Sequence, residues 1–217
     1  MPVVEPDQFQ GTTALVTGGA GGIGWATACA LAADGVDVAI CSRPGKTLDE
    51  AADKIAHSGF RNITCYRADV SSEADMGELF GKLEQKFGAL NFLVNNAGVD
   101  SFCEPANFSA ARFRRVMDIN VTSVFLAVSG ALPLLRRAGS ASIVNVGSIH
   151  GHVTTSGRAD YVTSKTALIG ATRALALDLA EYGIRINMVS PGAVETPMLV
   201  RGWKAVSYTH LTLPTNA

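Results

Sequence analysis

Short apolar runs alternate with longer stretches whose apolar residues recur at helical spacing, from Thr12 through Val189. The runs are Thr12 to Thr17, Val36 to Cys41, Asn62 to Arg67, Leu90 to Val94, Ser142 to Val146 and Ile184 to Val189. Several are apolar at nearly every position rather than at every second one, the pattern of strands buried on both faces of a parallel sheet. Between them, Trp25 to Gly35, Leu48 to His57, Ser71 to Phe87, Phe108 to Arg137 and Ala159 to Tyr182 read as helices. In the third of these, Met76, Leu79, Phe80, Leu83 and Phe87 share one face and are expected in the core. Phe108 to Arg137 reads as one long or broken helical region. Asn120 interrupts its apolar face and costs stability unless paired. Arg112, Arg114 and Arg115 read as a solvated face. Strand and helix alternate throughout, which predicts an α/β fold, a doubly wound parallel sheet in a single domain.

Composition narrows the function without choosing it. The 217 residues are 47% hydrophobic and 17% charged with a net charge of -1, ordinary values for one globular domain. That balance gives no reason to expect nucleic acid or an anionic membrane as a partner. No apolar run is long enough to span a bilayer, and MPVVEPDQFQ lacks the basic start and apolar core of a signal peptide, so the cytoplasm is the expected location. Cys29, Cys41, Cys65 and Cys103 show no C-x-x-C spacing and read as buried reduced thiols. None of the four histidines stands at metal-ligand spacing with them, so no metal is expected; His150 and His152 read as a loop pair near the site.

The candidate chemistry lies at the ends of the strands. Gly18, Gly19, Gly21, Gly22 and Gly24 follow the first strand and open into a helix. Glycines let the backbone approach a diphosphate, and the helix N-terminus offers free N–H groups to it. The second strand ends Ser42-Arg43, with no acid for a ribose 2′-hydroxyl and an arginine placed for a 2′-phosphate. That favours NADP(H) over NAD(H), the alternative being a solvated loop arginine. Asn95 and Asn96 close the fourth strand, where they pin the ligand edge of the sheet. Tyr161 and Lys165, four apart, share a helix face. An ammonium beside a phenol favours phenolate, so such a pair can exchange a proton with a carbonyl or alcohol.

Taken in order, TGGAGGIG, NNAG, DINV, the serine after the fifth strand, YVTSK and PGAVET resemble the classical short-chain dehydrogenase/reductases over roughly Phe9 to Met198. The resemblance implies a Rossmann-type domain, a nicotinamide cofactor, a small-molecule carbonyl or alcohol substrate, and a homodimer or homotetramer. It implies Tyr161 as acid/base, with Lys165 binding the nicotinamide ribose and lowering the tyrosine pKa. Ser148 would hold the substrate oxygen and Asn120 a relay water. In reduction, hydride would pass to the carbonyl carbon while Tyr161 protonates the oxygen. Gly18, Gly22, Ile23 and Gly24 would cradle the diphosphate, and Asp69 and Val70 would border adenine. Asn96 and Gly98 would lie along the adenosine, with Pro191, Gly192, Val194 and Thr196 toward the nicotinamide. Cys103 is expected as a small apolar filler.

The chain departs from the family pattern after PGAVET. Val206 to Thr215 reads VSYTHLTLPT, which resembles a transposase-type sequencing adapter translated in frame. Residues 1–204 are therefore expected to form the dinucleotide-binding domain, without the family's last strand, and 205–217 to be non-native. With an edge unpaired, the literal chain is expected to be unstable or inactive. His150, His152, Arg158, Met198 and Trp203 are candidate pocket residues. Two rival readings keep the fold: a non-catalytic dinucleotide-binding regulator, and an isomerising or dehydrating relative.

Overall fold

The computed structural model describes residues 9–200; the adapter-like segment and Trp203 lie outside the described residues. Six strands form one sheet: β1 (Thr13–Thr17), β2 (Asp37–Ser42), β3 (Ile63–Arg67), β4 (Phe92–Asn95), β5 (Ala141–Val146) and β6 (Ile184–Val189). Their order is β3-β2-β1-β4-β5-β6 and every neighbouring pair is parallel. The order reverses between β1 and β4, and in such sheets ligands bind outside the carboxyl ends of the strands at that reversal.

Six α-helices among the described residues cross between strands: α1 (Gly22–Ala33), α2 (Lys46–Ser58), α3 (Glu73–Phe87), α4 (Ala110–Met117), α5 (Ser123–Arg137) and α6 (Ala159–Ala180). Alternate strand residues sort into two cores. Ala14, Val16, Val38 and Ile40 pack with Ala28 and Ala32 of α1 and Leu48 and Ala51 of α2. Leu15, Ala39, Leu93 and Ile143 face the other layer, with Leu79 and Leu83 of α3, Ala127 and Leu135 of α5, and Leu168 of α6. All five residues of β1 are buried, which is why its run carries no polar alternation. Side-chain caps start two helices: Ser72 accepts from the Asp75 amide and Ser109 from that of Arg112.

The region read as one long or broken helix is broken by a π-helical turn, Asp118–Thr122, between α4 and α5. Ala110–Arg137 as a whole, 28 residues, is long and apolar enough by length and composition to cross a membrane, and half of its most apolar window is buried within the fold. Its apolar face belongs to the sheet's core, where Val124, Ala127, Val128, Ala131 and Leu134 are buried. Arg112 is not part of a solvated face. It turns inward to an ion pair with buried Asp160, Nε to Oδ2 3.5 Å, and contacts the Cys103 sulfur. Cys103 accordingly sits among polar groups rather than filling an apolar gap; its thiol lies within reach of the Glu104 and Asn107 carbonyls, at 3.1 and 3.3 Å. All four cysteines are free, but only Cys41 is buried, and burial pushes its thiol up to about 12.

Candidate active site

The glycine turn after β1 is built for close approach. Gly18 has φ +64, and a Cβ there would lie 2.9 Å from the Ala97 Cα. At Gly24 a Cβ would fall 2.4 Å from Asn96 Nδ2 and 2.6 Å from the Gly18 carbonyl. Asn96 explains the tightness: its amide donates to the Thr17 and Gly18 carbonyls at 2.9 and 3.1 Å, tying the turn to the end of β4. Gly22 packs against Thr196, where an added Cβ would meet the Thr196 Cγ2 at 3.3 Å. The turn thus offers backbone without side chains at the start of α1, a cradle that suits a diphosphate.

Beside it, Gly18, Ser42, Arg43, Asp69, Val70, Gly98 and Val99 surround a cleft of about 110 Å³. Arg43 is exposed at its mouth. Burial raises the Asp69 carboxyl, but hydrogen bonds from Ser71 and the nearby Arg43 and Arg115 charges outweigh this and leave it below the usual carboxylate range. The predicted adenosine-side residues therefore share one cleft, with Asn96 acting behind it through the turn.

A second cavity, about 490 Å³, opens at the ends of β5 and β6. Its walls include Ile23, Ser148, Tyr161, Pro191, Gly192, Val194 and Thr196, which brings the predicted nicotinamide-side residues to the Tyr161 phenol. Ser148 caps a 3-10 turn, accepting from the His150 amide at 3.1 Å, and it stands in the same cavity wall as the phenol, near enough to lower its pKa. His150 stands edge-on to the Tyr161 ring at 6.2 Å. Of the other candidate pocket residues, Arg158 and Met198 line the cavity; His152 does not, and instead bonds Ser190.

Lys165 is buried on the next turn of α6, its Nζ donating to the Val146 carbonyl at 2.9 Å. Desolvation lowers its pKa from 10.5 to about 8. Burial raises the Tyr161 pKa; the Ser148 hydrogen bond lowers it, Asp100 raises it and Arg158 lowers it, leaving the phenol above its ordinary value. The Lys165 ammonium lies 5.8 Å from the Tyr161 ring centroid while donating to Val146. Asn120, in the π-helical turn, is paired as its burial demands. Its side chain accepts from the Val99 amide and donates to the Val99 carbonyl and the Ser164 hydroxyl. The two amide hydrogens are thus spent on holding the loop after β4 against α6.

The sequence reading missed the acids of this region. Asp160, 5% exposed, accepts from the Ser101 hydroxyl at 2.5 Å and from the Tyr161 amide at 2.9 Å. Asp100 pairs with Arg158. Their side-chain partners, Ser101 for Asp160 and Arg158 for Asp100, are far away in sequence.

A parallel sheet reversing at β1 and β4, a glycine turn open to close approach and a Ser-Tyr-Lys group at one edge suit an oxidoreductase that binds a dinucleotide. The family model for short chain dehydrogenases matches residues 12–206. The chain belongs to the classical short-chain dehydrogenase/reductases, and it is an NAD(P)-dependent oxidoreductase. Among its relatives, 2,5-dichloro-2,5-cyclohexadiene-1,4-diol dehydrogenase of Sphingobium indicum is 39% identical over 195 residues, 89% of this chain and 76% of that protein. The crystal structure of levodione reductase superposes with a TM-score of 0.85 at 33% identity, covering 91% of this chain and 77% of that one. A single-residue variant of actinorhodin polyketide ketoreductase, solved with NADPH, gives 0.84 at 32% identity over 89% and 75%.

Proposed function

We propose that the chain is an NADP(H)-dependent carbonyl reductase, or secondary alcohol dehydrogenase in reverse, with Tyr161 as its acid/base. The observation that carries this reading is the Tyr161 phenol beside Ser148 in the cavity that Ile23, Val194 and Thr196 also line. The nicotinamide supplies the hydride when bound. The Tyr161 Oη gives its proton to the substrate oxygen, and a phenol held above its ordinary pKa carries that proton throughout the neutral range. Ser148 steadies the charge developing on the same oxygen. Lys165 holds the ribose and, with Asn120, stands on the route by which Tyr161 is reprotonated. Gly18, Gly22, Ile23 and Gly24 receive the diphosphate; Asp69, Val70, Asn96 and Gly98 border the adenosine, and Pro191, Gly192, Val194 and Thr196 the nicotinamide.

Arg43 supports the choice of NADP(H): it is exposed at the end of β2, in the cleft of Asp69 and Gly98, with Ser42 where a ribose-binding acid would stand. The named activities of its relatives, a diol dehydrogenase and a dione reductase, support a small carbonyl or alcohol substrate. The region to residue 204 is read as one domain working in the cytoplasm as a homodimer or homotetramer. The test follows NADPH absorbance with a panel of cyclic ketones, together with the affinities for NADPH and NADH. Ketone-dependent NADPH consumption is expected. Arg43→Ala should weaken NADPH by about tenfold or more, the loss of one charge-assisted contact, and leave NADH unchanged. Equal loss for both cofactors would remove Arg43 from the 2′-phosphate, and no consumption with any ketone would remove the reductase reading.

A further inference from the structure

The cavity beside Tyr161 contains an ion pair that neither gives nor takes the hydride or the proton. Arg158 is the N-cap residue of α6 and Asp100 lies just beyond β4; both line the cavity. A single nitrogen, Arg158 Nη1, donates to both Asp100 carboxylate oxygens at 2.6 Å. The two side chains are only 15% and 19% exposed. A guanidinium has five N–H donors. Nη2 and Nε of Arg158 have no protein acceptor among the described residues and are not fully buried, and Arg158 is a residue of the cavity wall.

Asp100 cancels the charge of Arg158 while fixing its plane. The wall therefore presents hydrogen-bond donors without net positive charge. A carboxylate approaching those donors would also meet the like charge of Asp100, whereas an uncharged oxygen would not. Phe102, Ile149, Val194, Met198 and Leu199 make much of the remaining wall apolar. A largely apolar cavity with a few fixed polar groups reads orientation through those groups.

We propose that Arg158, held by Asp100, is a specificity-determining residue that donates to a second, uncharged oxygen on the substrate. The preferred substrates are then hydroxyketones and diketones, and in reverse diols, rather than simple ketones or keto acids. A substrate without that oxygen leaves desolvated donors unpaired, the situation in which polar discrimination is largest. This rests on the carbonyl-reductase reading above.

The experiment measures binding, so it does not depend on turnover. NADPH fluorescence of the Tyr161→Phe protein, saturated with NADPH, is titrated with cyclohexanone, 4-hydroxycyclohexanone and 4-oxocyclohexanecarboxylate. The hydroxyketone should bind at least about tenfold tighter than the other two, a difference of about 1.4 kcal/mol. Removing both charges together, with Arg158→Met and Asp100→Asn, should bring the hydroxyketone-to-cyclohexanone ratio near one and leave NADPH affinity unchanged. Should that double variant not melt cooperatively, Arg158→Lys replaces it and is expected to lower the ratio severalfold, because an ammonium lacks the fork. An unchanged ratio in the variant overturns the proposal, as does tightest binding of the carboxylate or binding of none of the three. Failure to bind NADPH at all would instead remove the reductase reading, and this proposal with it.

Discussion

Lys165 bears the largest resolved electrostatic penalty in the active site. Its ammonium is buried, with the Val146 carbonyl as its hydrogen-bond acceptor, and desolvation takes its pKa to about 8 from 10.5. Between those two values the unfolded chain binds more protons than the folded one, so stability rises with pH across that window. Denaturant unfolding of the parent and of Lys165→Met, measured at pH 7 and pH 10, tests this. The parent should gain on the variant as pH rises, by at most about 3 kcal/mol. A constant difference would mean that water or a counter-charge reaches Lys165. The cost fits a functional role, because a buried charge at neutral pH does nothing for the packing around it.

The glycine turn and the π-helical turn do at the element scale what no single residue does. Asn96 binds two carbonyls of the first, and Asn120 clamps the loop after β4 to α6 through Val99 and Ser164. Each turn is thereby fixed by an amide that reaches across to another part of the chain. Gly24→Ala should be disruptive, because its Cβ would collide with Asn96 Nδ2 and the Gly18 carbonyl together. Overpacking of this kind costs about 1–3 kcal/mol. A lower melting temperature and NADPH affinity weakened at least tenfold are expected. Gly81, inside α3, where a Cβ would meet nothing within 4 Å, provides the control: Gly81→Ala should leave NADPH affinity unchanged and raise rather than lower the melting temperature. Loss of stability with intact NADPH affinity would show that the turn is structural and does not seat the diphosphate.

At the scale of the whole molecule, the strands and helices were legible because a fully buried parallel sheet writes itself as unbroken apolar runs, β1 and β2 above all. Glycines and the Tyr161/Lys165 spacing were legible for the same reason: both are local. The order in which β1 and β4 meet was not, since nothing in either run names its neighbour. The Asp100–Arg158 pair spans 58 positions, and the inward turn of Arg112 depends on Asp160, so neither shows in local pattern. Arg112 looked solvated because its neighbours Arg114 and Arg115 are exposed. Helical spacing places Lys165 beside Tyr161, as the sequence shows; the direction of its Nζ toward Val146 is a tertiary fact.

In the proposed mechanism Tyr161 moves the proton, and cofactor binding alone does not need it. Tyr161→Phe keeps the ring and its contact with His150 but removes the phenolic oxygen. The decisive measurement is kcat for ketone reduction and Kd for NADPH, taken side by side on the parent and on this variant. A fall in kcat of about 10²–10⁴-fold is expected, the usual contribution of a positioned acid, with Kd unchanged within about twofold. Retained turnover would contradict it, and would turn attention to His150 or to a solvent proton at Ser148.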